Sequence, residues 1–132
     1  MKIIFLNIWG GKVFDPLMEF LKESAHDTDF FCFQEVFDSP PHQRVGSGGS
    51  PEAREVSWGG RANILFDLHR VLPNFAAYFA PAVEGFDGDN PVDFPLSLGL
   101  AIFSRSPGIK ITHFQVPPLP ISDHLPMILG IA

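Results

Sequence analysis

Glu35 closes the apolar run Asp29-Phe30-Phe31-Cys32-Phe33-Gln34-Glu35-Val36, and a carboxylate at the end of such a run is a first candidate for chemistry. In open α/β sheets, polar groups that act on ligands gather at the carboxyl ends of strands, where rigid backbone delivers them to a cleft. Asn7, in the apolar stretch at the amino terminus, and Ser122-Asp123-His124 toward the other terminus supply further polar groups. Carboxylate oxygens suit a hard cation, and a histidine titrates where proton transfer near neutral pH needs it. The consecutive Ser122-Asp123-His124 cannot form a nucleophilic triad by itself, because neighbours in extended chain diverge. Asp87, Asp89 and Asp93 are spaced like a calcium loop but lack its terminal Glu and flanking helices, and Gly88-Asp89-Asn90 reads as an acidic turn. His26, His42, His69 and His113 show no ligand-like spacing to one another.

The elements that must position these groups follow from periodicity and punctuation. Lys2 to Trp9 is β-branched and aromatic and stops at Gly10-Gly11, which predicts a strand with Asn7 near its end. Asp15 as N-cap and Pro16 at the first helical position open a helix whose apolar stripe is Leu17, Phe20 and Leu21. Phe30 to Phe33 predicts a strand buried on both faces, with Glu35 where it runs out. Strand, helix, strand is a crossover unit, so the two strands should lie side by side and bring Asn7 and Glu35 to one edge. Residues 38–60 are dense in Pro, Gly and Ser and read as a long loop, a lid or a surface insertion. Arg61 to Leu72 resumes helical spacing, with Ile64, Leu65, Leu68 and Leu72 on one face. Phe75 to Ala80 and Leu96 to Ser104 predict strands separated by an acidic loop, and Gly99 lets another backbone approach the second of them. Ile109 to Val116 alternates as a half-buried or edge strand does, and Leu125 to Ile131 closes the chain as another strand.

The 132 residues and their globular composition predict one domain, residues 1–132. A net charge of −6 with no cluster of Lys and Arg disfavours tight non-specific binding to a nucleic-acid backbone. It leaves room for a metal enzyme, since a bound divalent cation offsets acidic charge locally. Cys32 is the single cysteine, so no internal disulfide forms, and in its Phe-rich run it reads as a small buried hydrophobe. The amino-terminal apolar stretch is too short for a signal peptide and no run approaches a membrane span, so the expected location is cytoplasmic.

Taken in order, Asn7, then Gln34-Glu35-Val36, then Gly99-Leu100-Ala101-Ile102-Phe103-Ser104-Arg105, then Ser122-Asp123-His124-Leu125-Pro126 before a last strand form a set. In that order the chain resembles the endonuclease/exonuclease/phosphatase family of metal-dependent phosphoesterases. The resemblance implies an α/β fold, a shortened version of the family's four-layer α/β/β/α sandwich. It implies Mg²⁺ or Mn²⁺ as cofactor, with Glu35 as metal ligand, Asn7 and Asp123 orienting the metal and the phosphate, and His124 contacting the phosphate or moving protons. The implied substrate is a phosphodiester or phosphomonoester: a small molecule, a lipid-like ester or nucleic acid. Acidic net charge favours the first two over duplex DNA.

The sequence also departs from the family pattern. Family members carry a Gly-Asp-x-Asn segment, and an Asp that orients the histidine, between the strand of the Gly99–Ser104 type and the terminal Asp-His. Here Phe103-Ser104-Arg105 runs straight into Ser106-Pro107-Gly108-Ile109-Lys110-Ile111, as if two family segments were joined near 104–106 with the middle missing. Two functional expectations therefore stand side by side. One is a divalent-metal-dependent phosphoesterase, impaired by loss of the central Asp/Asn motif. The other is a non-catalytic family remnant that binds a metal or a partner, self-associating through sheet edges left exposed.

Overall fold

A computed structural model describes residues 1–40, 55–105, 111–115 and 128–131, the last two stretches as backbone strands. Its centre is a mixed four-stranded sheet in the order β1-β2-β6-β3. β1 (Ile3–Asn7) runs parallel to β2 (Phe30–Asp38), while β6 (Ser97–Arg105) is antiparallel to both β2 and β3 (Phe75–Glu84). β4 (Phe86–Asp87) and β5 (Asn90–Pro91) make a small hairpin within the acidic loop, and β7 (Ile111–Gln115) pairs with β8 (Ile128–Ile131). The fold class is thus mixed α/β, as the alternation of elements predicts.

Helices α1 (Phe14–Ser24) and α2 (Ile64–Val71) pack on one face of the sheet. Phe31 and Phe33 of β2, Ala101 and Phe103 of β6, Leu21 of α1, and Ile64, Leu65 and Leu68 of α2 form one buried cluster. The Phe31 and Phe33 rings stack with centroids 5.6 Å apart, and Phe103 meets Phe33 edge-on at 5.6 Å. These aromatics bury large apolar areas in preferred geometries, which locks the crossover from β1 through α1 to β2 against the later strand β6. Cys32 points to the opposite face. It is half-buried, and that burial raises its thiol pKa above the ordinary value.

Two expectations change. Val13, not Asp15, is the residue before the first turn of α1, so Asp15 lies inside that turn and Pro16 follows it. Both remain favourable there, because the first four helical N–H groups have no intrahelical acceptor and the dipole favours negative charge. The second change concerns Glu35, which lies within β2 rather than at its end, because pairing with β6 continues from Val36 to Asp38.

Candidate functional site

The sheet has two different ends. Beside the carboxyl end of β1, strict alternation along β2 from Phe31 and Phe33 would aim Glu35 into the helix-side core. A bulge between Phe33 and Val36 prevents this, since residues 34 and 35 of β2 together face Leu100 of β6. Val36 and Phe37 take the buried positions, and Glu35 stays half-buried at φ +55°. Gly99, next to Leu100 on β6, lets the backbone of β3 approach closely on the other side. A Cβ on Gly99 would lie 2.0 Å from the Ala80 carbonyl oxygen.

Asn7 meets Glu35 from the neighbouring strand. Parallel pairing sets Asn7 beside Gln34, and the Asn7 Nδ2 group donates to Glu35 Oε1 at 2.9 Å. The other side of the same amide is engaged too, as Asn7 Oδ1 accepts the Trp9 N–H at 2.9 Å. The amide is therefore held at both ends, and its orientation fixes one carboxylate oxygen of Glu35.

The turn after Asn7 is built to hold this arrangement. A 3₁₀ turn, Trp9–Gly11, carries Gly10 and Gly11 at positive φ. A Cβ on Gly11 would lie 2.5 Å from Ile64 Cδ1, so only glycine lets the turn rest on the start of α2. The Arg61 N–H donates to the Gly10 carbonyl at 2.8 Å. The Arg61 side chain bonds the buried Asp67 carboxylate at 2.9 Å and lies over the Phe14 ring at 4.0 Å. Among the described residues, Trp9 (φ +49°) and Glu35 are the non-glycine residues in the left-handed region, and the Asn7 side chain bonds to both. Such conformations persist where surrounding contacts over-determine them, and they cluster at sites that act.

At the opposite end of the sheet, Arg105 closes β6. Its Nε donates to the Thr28 carbonyl at 2.9 Å and its Nη2 to the Ala25 carbonyl at 2.6 Å, just past the end of α1. A cavity of about 300 Å³ opens there, lined by Lys22, His26, Pro73, Phe75 and Arg105 among others. It lies away from Asn7 and Glu35, and its Arg105 is already committed to backbone carbonyls.

Of the residues singled out in the sequence, Asn7 and Glu35 are brought together, while Asp123 and His124 lie outside the described residues, as do Ser106 to Lys110 at the inferred join. Among the described residues no group of three or more His, Cys, Asp or Glu side chains is placed to hold a metal ion. Glu35 nonetheless offers a hard, half-exposed carboxylate, and Mg²⁺ or Mn²⁺ takes few protein ligands and keeps several waters, so this donor fits either ion. From residue type, Trp9 and Trp58 could each line a cleft, though large aromatics more often belong to core or rim, and Lys12 was not singled out. Trp9 is 52% exposed, and Lys12 Nζ sits 4.3 Å from its ring centroid. A tryptophan standing directly before Gly-Gly, at the end of a strand, was the available signal.

Comparison with known proteins bears on the fold. No family model and no curated protein matches the chain. A solved structure, an endonuclease/exonuclease/phosphatase family protein from Leptotrichia buccalis C-1013-b, is similar over 87% of this chain, with a TM-score of 0.52 and 18% identity. The match spans 40% of that protein's length. At this identity the likeness is one of fold. No helix among the described residues is long and apolar enough to cross a membrane.

Proposed function

We propose that the chain is a divalent-metal-dependent phosphoesterase with Glu35 as its metal ligand. The observation that carries this reading is the Asn7–Glu35 pair, a carboxylate raised on a bulge within β2 and oriented by an amide at the carboxyl end of the parallel neighbour β1. The fold likeness to an endonuclease/exonuclease/phosphatase family protein supports it. When bound, Mg²⁺ or Mn²⁺ supplies charge neutralisation at the phosphoryl oxygens and acidifies a water. Asn7 holds Glu35 Oε1 in place, so it serves here as a positioning residue. Asp123 orients the metal and the phosphate, and His124 contacts the phosphate or moves protons. The four-layer sandwich, shortened near 104–106, and a cytoplasmic location belong to the same proposal.

The test joins stability and turnover. Mn²⁺ should raise the melting temperature of the wild type and leave Glu35→Gln unmoved, since a ligand that binds only the folded state stabilises it by mass action. The wild type should hydrolyse bis(4-nitrophenyl) phosphate with Mn²⁺, and Glu35→Gln should lose at least about a hundredfold in rate, a loss of the size seen on removing one group from a charge-stabilising site. A melt indifferent to metal together with no hydrolysis sinks the reading.

One observation favours the second reading, a non-catalytic domain that self-associates. β1 lies at the margin of the sheet with Phe5 77% exposed and Ile3 40% exposed on one face. Exposed apolar side chains on a marginal strand favour pairing with another chain. Sedimentation showing a monomer at high concentration would exclude this reading.

A further inference from the structure

We propose that Trp9 and Lys12 form the recognition platform for the non-reacting part of the substrate, and that this part is a flat, uncharged ring attached to the phosphoester, as in a mononucleotide. The inference rests on the reading of Asn7–Glu35 as a phosphoester site and adds a substrate class to it.

Three features of Trp9 call for an explanation together. The residue is bulky yet sits at φ +49°, a conformation that costs a side chain of its size more than glycine would incur. It is held there by its N–H to Asn7 Oδ1 at 2.9 Å and by its carbonyl, which accepts the Lys12 N–H at 3.0 Å. Despite this the indole is not spent on the core, since it remains 52% exposed, whereas Trp58, the chain's other tryptophan, packs on Phe37 with ring centroids 5.4 Å apart. A strained backbone that keeps an aromatic ring at the surface, one hydrogen bond from the residue that orients Glu35, is the geometry of a stacking platform. Exposed indoles take nucleobases because every base has a π-face.

Lys12 decides between ligand chemistries. Its ammonium, 4.3 Å from the indole centroid, covers part of the ring and makes the surroundings cationic. A quaternary ammonium headgroup, which otherwise seeks an indole face, would be repelled by it. An anionic ester would be drawn to it, with the lysine acting as a mobile point charge on the phosphate. An uncharged ring on the indole and a phosphate beside Lys12 satisfy both groups.

The experiment is calorimetric titration of the full chain in EDTA with adenosine 5′-monophosphate, inorganic phosphate or phosphocholine. Metal and turnover then play no part. AMP should bind at least about tenfold more tightly than either of the others, the range a single base–aromatic stack provides. Trp9→Gly, which keeps the positive φ at no steric cost, should lose that margin, and Trp9→Phe should retain most of it. Lys12→Gln should weaken AMP and narrow the gap to phosphocholine. AMP binding no tighter than inorganic phosphate, tighter binding of phosphocholine, or undiminished AMP binding by a folded Trp9→Gly would each overturn the platform. Hydrolysis of bis(4-nitrophenyl) phosphate is scored separately on Glu35→Gln, so a failed platform and a failed phosphoesterase give different results.

Discussion

The two ends of the central sheet are made from the same strands and treated oppositely. Where β2 and β6 meet at Arg105, one guanidinium satisfies carbonyls left over at the end of α1 and in the turn that follows, and the segment from Ala25 to Asp29 is pinned by backbone bonds. At Asn7 and Glu35 the chain instead accepts a bulge, two non-glycine residues at positive φ and an exposed indole. The first end is arranged for stability. The second keeps polar and aromatic groups available, and the buried cluster beneath α1 and α2 offsets what that costs. The cavity at the stable end, whose Arg105 is spent on backbone carbonyls, therefore says less about chemistry than the strained constellation at the other.

The comparison breaks most readily at Gly99. Gly99→Val drives a side chain into the Ala80 carbonyl and should destabilise the protein by more than about 3 kcal/mol in a denaturant melt, affecting both ends because β6 no longer fits against β3. Phe31→Ala should cost about 3–5 kcal/mol, again without preference for either end. Arg105→Ala sharpens the contrast. It strips two backbone carbonyls of their donor and should cost about 1–3 kcal/mol, while any hydrolysis dependent on Glu35 persists. Glu35→Gly should do the reverse, abolishing metal stabilisation while leaving stability unchanged or raised by up to about 1 kcal/mol as strain is released. The smallest effect concerns Cys32. With its thiol pKa raised by burial, less thiolate is present at any given pH than in a free cysteine, so alkylation at pH 8 should be slower than in the urea-unfolded chain.

Much of the stable framework is legible in the sequence, and less of the site is. The Gly10-Gly11 stop, the helical spacing from Leu17 to Leu21 and the apolar run at Phe30 each obey local rules. The parallel neighbours β1 and β2, with Asn7 beside Glu35, follow from crossover topology. Gly99 was legible as a place of close approach, though not as the neighbour of a bulge, because a bulge depends on the register of two strands far apart in sequence. Propensity alone ends β2 near Glu35; the pairing of Val36 to Asp38 with β6 extends it. The setting of Trp9, weighed from its type as core or rim, was hidden for a related reason, since a bulky residue at positive φ runs against local preference and depends on bonds to Asn7 and Lys12. Asp123 and His124, read from order and resemblance, lie outside the described residues.

The position of β6 also dictates when this protein can first become stable during its synthesis. β6 lies between β2 and β3, and its last residue, Arg105, reaches back to Thr28, a partner 77 residues earlier. A nascent chain that has released β1, α1 and β2 holds a crossover with one flank of its most aromatic strand unpaired, and β3 on its own cannot supply the missing neighbour. Closure of the sheet waits until Ser97–Arg105 has left the ribosome, so Phe31 and Phe33 emerge well before the strand that pairs with them. That interval, rather than the finished fold, is where a chaperone that recognises aromatic segments would find this chain.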